Sequence, residues 1–487
     1  MRRTWRTKKI ISTVMCLLLM VMSVCMTACG SVGRTVEISR KEDSNSKEKS
    51  EKESKKTDQD DKRGGEEAEE ENNEDREEYL EKEESIEDKI KRFKTNQEVN
   101  TLDKIELIVW ESAGAPEEFI EKAGDYFNML YPNIHIRYVN VQSTDANSKI
   151  VMDGPSGWGP DLFATAHNNC GVMAAGTHIE PVPDSEWNIV KEACEDSAFQ
   201  GALLRAQDGT ETLYGYPVSM ETYALFYNKE LISKSEIPQT MSELAEYIRN
   251  YDKEGTEPFL MDAGNAYYSV MFTSTADERL YGMMGNDITD THMCSDAAVR
   301  QMADFIELSK AINKKTGEID YKHNDSLFAA GQLAMVISGA WNIQEFRSSG
   351  VKFGITSIPA MSGASTPPYN FMGVRCMYVS SYSKHKPEAI AFAEFLMTEE
   401  MQKLRCELTG TMPVNLKVID ELENVELKAY MHGLASQIRY SYPMPNMSQS
   451  SLFWSAFASA YTNLWNGDVT DIAQELDRAD QAATRKN

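Results

Sequence analysis

Ile105-Glu106-Leu107-Ile108-Val109-Trp110 opens the stretch whose reading decides the fold. Its branched residues and its alternation predict a strand. From Glu117 to Leu130, Phe119, Ala123, Phe127 and Leu130 recur at helical spacing, and Pro132 ends the helix. Ile134-His135-Ile136-Arg137-Tyr138-Val139 alternates again as a second strand. A short helix is expected to reach Met152. Gly154-Pro155-Ser156-Gly157-Trp158-Gly159-Pro160 forces a tight loop, and Asp161-Leu162-Phe163-Ala164-Thr165 reads as a third strand. Strand, helix, strand, helix, strand is the pattern of a parallel α/β layer.

Downstream, Tyr216-Pro217-Val218 and Ala224-Leu225-Phe226-Tyr227 bracket a crossing between two lobes. Helices are expected at Met241–Asn250 and Ala297–Asn313. A buried strand at Leu333–Ile337 leads to Ser338-Gly339-Ala340-Trp341. Phe353–Ile358 reads as a strand returning to the first lobe, and Cys376–Val379 as another. Pro387–Met397 is an amphipathic helix and Leu452–Leu464 an aromatic-rich one. A body of about 390 residues exceeds one hydrophobic core and fits two packed lobes. No repeat at solenoid spacing is present.

Upstream, the chain begins differently. Arg2, Arg3, Arg6, Lys8 and Lys9 precede an apolar run from Ile10 to Val24, which leads to Met26-Thr27-Ala28-Cys29-Gly30. This is the pattern of a secretory signal, assigned to residues 1–28. Its Thr-Ala-Cys ending resembles a bacterial lipobox. That resemblance implies acylation of Cys29 and a place on the extracellular face of the cytoplasmic membrane. Cys25 is a poorer candidate because bulky Val24 precedes it. Residues 29–100 read as a disordered charged tether, since Glu, Lys, Asp, Ser and Asn dominate and little apolar surface is available to offset chain entropy. Within it, Tyr79, Ile86, Ile90 and Phe93 form one stripe over Glu77–Phe93. We expect a transient charged helix there, with a packed helix as the alternative.

The net charge of −26 falls mostly on the body. An acidic body is repelled by nucleic acid and is compatible with neutral ligands. Of eight cysteines, Cys170, Cys194, Cys294, Cys376 and Cys406 remain after the leader. Their odd number and the absence of a Cys-x-x-Cys pair suggest neither a disulfide framework nor a zinc site, and buried reduced thiols are expected.

Catalytic signatures are missing: no phosphate-cradling loop with a Lys, no His-Glu-x-x-His, no Gly-x-Ser-x-Gly. Ser381-Tyr382-Ser383-Lys384 has the Ser-x-x-Lys spacing of penicillin-interacting enzymes without that family's other motifs. No cofactor or metal is indicated. What stands out is aromatic residues beside turns and helix starts: Trp110, Tyr267-Tyr268, Trp341 and Trp454. Sugar rings stack on such faces, and sugar hydroxyls take carboxylate and amide partners. Each aromatic alone reads more readily as core than as site.

Taken in order, six segments resemble the maltose/maltodextrin-binding group of extracellular solute-binding proteins. They are Leu107-Ile108-Val109-Trp110, Gly159-Pro160-Asp161-Leu162-Phe163 with Ala166-His167, and Tyr216-Pro217-Val218-Ser219-Met220-Glu221. Phe226-Tyr227-Asn228-Lys229-Glu230-Leu231, Ser338-Gly339-Ala340-Trp341, and Met444-Pro445-Asn446 leading to Phe453-Trp454 complete the set. The resemblance runs from about Lys104 to the C-terminus. It implies an α/β, two-lobed, periplasmic-binding-protein-like flytrap (type II) with a hinge. The N-terminal lobe would comprise 103–219 and 359–414, and the C-terminal lobe 220–358 and 415–487. It also implies a monomer, not an enzyme, that takes an oligosaccharide in the cleft and delivers it to an ABC permease. Carried over by position, Glu221 is a sugar-binding carboxylate, and Tyr267, Trp341 and Trp454 are stacking aromatics. Asn168 and Asn169 replace a charged pair, Asn265 replaces a carboxylate, and Thr165 replaces a cleft Trp. Glu111 completes the ligand-binding candidates. A malto-oligosaccharide or similar α-glucan is the leading ligand. Another glycan on the same fold, a secreted glycoside-active enzyme and a surface sensor are the competing readings.

Overall fold

The computed structural model describes residues 84–484. The expected signal, Cys29 and the tether up to residue 83 lie outside the described residues. Nine strands form one sheet in the order β2-β1-β3-β10-β6-β8-β7, with β11 beside β10 and β9 beside β6. The first three are β1 (Ile105–Glu111), β2 (Ile134–Asn140) and β3 (Leu162–Ala166). A separate hairpin is made by β4 (Leu203–Arg205) and β5 (Glu211–Leu213). Then come β6 (Gly215–Asn228), β7 (Glu257–Leu260), β8 (Leu333–Gly339), β9 (Phe353–Thr356), β10 (Asn370–Val379) and β11 (Ser441–Pro443).

The opening layer follows the sequence pattern. β1 pairs in parallel with β2 and β3. The intervening helix Ala115–Leu130 buries Phe119, Ile120, Ala123 and Phe127 against the sheet and has a proline in its first turn. A proline is tolerated there because that N–H has no intrahelical partner.

Both bracketing segments lie in one strand. β6 runs unbroken for 14 residues. From Gly215 to Thr222 it pairs antiparallel with β10, and from Tyr223 to Asn228 with β8 and β9. β6 therefore belongs to both halves of the sheet, and β10 runs beside it, pairing with β3 at one end and β11 at the other. Pro217 lacks a ladder N–H. It pairs with Cys376 where the register shifts between Arg375 and Cys376, an irregularity that accommodates a proline inside a central strand.

The tether expectation is corrected for residues 84–100, which pack on the body. Ile86–Ile90 is a short helix capped by Ser85, with Ile90 buried. Phe93 meets Phe395 edge-on at 5.2 Å. Apolar side chains that hold one helical stripe in a charged linker thus find a partner in the helix Lys386–Leu396. That helix was expected to be amphipathic, yet it is buried along most of its length, Glu388 and Glu394 included.

Those two glutamates and Glu186 hold the arm. Thr95 Oγ1 donates to Glu394 Oε2 at 2.6 Å, Gln97 Nε2 to Glu186 Oε1 at 3.0 Å, and the Asn100 amide to Glu388 Oε1 at 2.8 Å. Burial and the adjoining Glu186 carboxylate push Glu394 up to about 8. An acid with a raised folded-state value stabilises the fold at low pH, and that contribution is lost as pH rises from the ordinary carboxylate range toward about 8. Thermal unfolding followed from pH 5 to pH 9 should therefore show a larger loss of stability for the wild type than for Glu394→Gln. Parallel pH profiles would show that the buried carboxyl is not the group responsible.

Candidate functional site

One face of β10 organises the site. Side chains alternate along a strand, so Phe371, Gly373 and Arg375 share a face while Met372 and Val374 point into the core on the other. On the neighbouring strand Glu221 lies directly across from Gly373. A Cβ at residue 373 would stand 2.8 Å from Glu221 Cγ and Oε1, so a side chain there would displace the carboxylate from its place over β10.

At one end of that face the aromatic residues gather. Tyr267 lies 6.1 Å from Trp341 and 6.1 Å from Phe371, and Phe371 lies 5.8 Å from Trp454, edge to face. The three expected stacking residues, which come from distant parts of the chain, are thus brought together around Phe371. The sequence reading did not single out Phe371, because it looks like any apolar strand residue. Trp341 keeps 39% of its surface exposed, high for the largest apolar side chain. Its ring lies over Gly339, where any side chain would collide with it. Behind it, Asp325 accepts hydrogen bonds from Ser338 Oγ at 2.9 Å and Asn342 Nδ2 at 2.6 Å, fixing the turn that carries Trp341. Burial pushes Asp325 up to about 6 despite those bonds.

Glu221 is a carboxylate without a hydrogen-bond partner among the described residues. Burial raises its pKa, and the Arg375 guanidinium works in the opposite direction without cancelling the shift. The Tyr267 phenol is raised well above the ordinary tyrosine range, by burial first and by the Glu221 charge second. Glu221, Tyr267 and Arg375 therefore share one electrostatic neighbourhood.

At the other end stands a polar wall. Asn169 Nδ2 donates to Thr165 Oγ1 at 3.0 Å, and Thr165 Oγ1 to the Ser143 carbonyl at 2.8 Å. Arg375 donates to Ser143 Oγ at 3.0 Å and to Glu111 Oε1 at 2.6 Å. Asn168 Oδ1 is buried with no partner among the described residues. His167, from the same turn, is structural. The Val374 amide donates to its Nδ1 at 3.1 Å, and its Nε2 bonds the Met444 carbonyl at 2.9 Å. Burial pushes His167 down to about 4, so the ring is neutral at pH 7.

Two of the expected contacts are engaged by other groups of the protein. Glu111 is fully buried, with Arg375 on one oxygen and Arg405 on the other at 3.1 Å. It is corrected from a ligand contact to the buried anchor of two guanidiniums. Asn265 caps the short helix Ala266–Ser269, its Oδ1 accepting from the Tyr267 amide at 3.0 Å and its Nδ2 bonding Asp262 at 3.4 Å. That cap fixes the Tyr267 amide at the start of the helix. Trp110 is core: it is buried and packs against Phe163. Cys170, Cys376 and Cys406 are buried thiols. The Ser-x-x-Lys segment is a turn in which Ser383 bonds Asp161.

Residues 122–433 match the family model described as bacterial extracellular solute-binding protein. The chain is 27% identical over 384 residues to the galactooligosaccharide-binding protein of Bacillus subtilis, covering 78% of this chain and 88% of that one. It is 24% identical over 390 residues to the maltotriose-binding protein of Pyrococcus abyssi, covering 78% and 80%. Among solved structures, a cyclo/maltodextrin-binding protein complexed with maltotetraose matches with a TM-score of 0.67 at 26% identity, over 78% of this chain and 96% of that one.

Proposed function

Because the chain belongs to the bacterial extracellular solute-binding protein family and has its two-lobed α/β fold, we propose that it captures an oligosaccharide between the lobes. The observation that carries this reading is the meeting of Trp341, Tyr267 and Trp454 around Phe371, beside the unpartnered Glu221 carboxylate. Aromatic faces take the C–H faces of sugar rings, and a half-buried carboxylate with no internal donor among the described residues is open to hydroxyl donors. In this reading Asn168 and Asn169 present amides where ligand hydroxyls pass. β6 and β10 act as the hinge between lobes 103–219 with 359–414 and 220–358 with 415–487.

A malto-oligosaccharide is the first choice of ligand, in line with the maltotriose- and maltotetraose-binding relatives. A galacto-oligosaccharide is the second, favoured by the Bacillus subtilis relative. The bound protein delivers its sugar to an ABC permease as a monomer. Cys29 carries the lipid that holds it on the outer face of the membrane. Mass spectrometry of the membrane fraction should find a diacylglyceryl group on Cys29, and an unmodified chain starting at Gly30 or later would contradict the anchor. A thermal-shift screen across glucan, galactan, xylan and fructan oligomers tests the function. One class should raise the unfolding temperature in a concentration-dependent way. No response to any of them would contradict oligosaccharide binding.

Glu221→Gln replaces a charged acceptor by a neutral one and should weaken sugar binding by about 1–3 kcal/mol. Since burial raises the Glu221 pKa, wild-type affinity should fall as the medium is made acid, while the glutamine variant should respond less. Titration calorimetry checks both. Equal affinities for the two proteins would remove Glu221 from the site.

A further inference from the structure

We propose that Arg375 is a ligand-binding and specificity-determining residue, whose guanidinium donates to a pair of sugar hydroxyls that Glu221 accepts from on the other side. This deepens the oligosaccharide reading and rests on it.

The placement of Arg375 is the first argument. It is the only charged residue in β10, between apolar neighbours, and it keeps 27% of its side chain exposed. It pairs in register with Ala166, directly before the turn that carries Asn168 and Asn169. Those amides carry no charge, so Arg375 is the cation this wall presents beside them.

The second argument is how firmly it is held. One terminal nitrogen bonds Glu111 at 2.6 Å and the other bonds Ser143 Oγ at 3.0 Å. Glu111 is itself fixed by Arg405, which is 2% exposed and lies 5.0 Å from the Phe119 ring. A guanidinium carries five N–H donors in a rigid plane. Two contacts leave donors over, already oriented and with little rotamer freedom left to lose on binding.

The third argument is the unfilled electrostatic gap. Arg375 and Glu221 influence one another, yet the pair forms no ion pair or hydrogen bond among the described residues. Arg375 leans to Glu111, and Glu221 lies over Gly373 without a donor. A sugar hydroxyl both donates and accepts, so a vicinal diol satisfies both groups at once: it accepts from Arg375 and donates to Glu221. A planar fork also distinguishes neighbouring hydroxyls by their spacing. This gives the site a means of telling apart sugars that differ in one axial or equatorial hydroxyl.

The test is titration calorimetry with the best oligosaccharide of the screen, on wild type, Arg375→Lys and Arg375→Met. Arg375→Lys retains the charge opposite Glu111 but not the fork, and should lose about tenfold in affinity or more. It should also discriminate less between malto- and galacto-oligosaccharides than the wild type does. Arg375→Met should lose at least as much. Folded variants with affinity and discrimination within twofold of a binding wild type would overturn this inference and leave the oligosaccharide reading standing. A wild type that binds no oligosaccharide overturns both. Should neither variant fold, the crystal structure of the wild-type complex decides. A guanidinium nitrogen within hydrogen-bond reach of a ligand hydroxyl supports the proposal, and a ligand that leaves Arg375 untouched refutes it.

Discussion

Glu111→Gln should cost about 3–5 kcal/mol of stability, because it strips the shared anion from the buried Arg405 guanidinium and the half-buried Arg375 guanidinium. Both carboxylate oxygens of Glu111 are engaged, at 2.6 Å by Arg375 and at 3.1 Å by Arg405. Burial opposes the charge on Glu111, but the two cations outweigh it and hold its pKa below the ordinary carboxylate value. Its stabilising contribution is therefore present above the usual carboxylate range and is lost as pH falls through the lowered folded value. Among the described residues Arg405 has no second acceptor, since its Nε and one terminal nitrogen are already buried without partners. In the variant the Arg405 charge has only a neutral amide oxygen, with another cation close by. Denaturant unfolding of the single variant and of Glu111→Gln/Arg405→Met separates the causes. The double variant should recover part of the loss, since an apolar side chain at 405 removes the stranded charge. A single variant within about 1 kcal/mol of wild type would mean that the ion pairs are not what holds β1 to β10.

Trp341→Ala and Trp454→Ala should each weaken sugar binding by about 1–3 kcal/mol, through lost stacking and lost apolar burial. The two differ in what else they remove. Trp341 is more than a third exposed and touches the cluster through Tyr267, so its truncation should leave the fold nearly unchanged. Trp454 packs edge-on to both Phe371 and Phe453, so its truncation should also cost some stability. Because both rings bear on the same cluster, the double variant should not equal the sum of the singles. Calorimetry paired with thermal unfolding reads both quantities. If both variants were destabilised but bound sugar like wild type, the rings would be core packing rather than a stacking platform.

The opening layer was legible because each of its signals is local: alternation in β1 and β2, helical spacing from Phe119 to Phe127, and a proline after the helix. The sequence marks only the two ends of the crossing, because Ser219-Met220-Glu221 interrupts the apolar run between them. The strand continues through the interruption, and Glu221 sits in mid-strand opposite Gly373. Glu111 could not be judged from its own neighbourhood. Its two partners lie 264 and 294 residues further along the chain, and nothing local separates a ligand carboxylate from an ion-pair anchor. Arg375 did leave a signal, a lone cation in Phe371-Met372-Gly373-Val374-Arg375-Cys376-Met377, which is costly in a buried strand without a paired charge. The stripe of Ile86, Ile90 and Phe93 was visible too, but composition alone cannot say whether an apolar stripe in a charged segment finds a surface. Phe395 supplies that surface, and it is set by the packing of another helix.

Oligosaccharide binding beside Trp341, Tyr267 and Glu221 is tested most directly by titration calorimetry of the wild-type protein with maltotetraose and a galacto-oligosaccharide. The account predicts saturable binding of at least one of them at one site per chain, with the negative heat-capacity change of apolar burial. Binding should be weakened by Trp341→Ala and by Glu221→Gln. Absence of heat with both sugars, together with no competition for any other oligosaccharide of the screen, would contradict it. So would saturable binding that neither substitution alters.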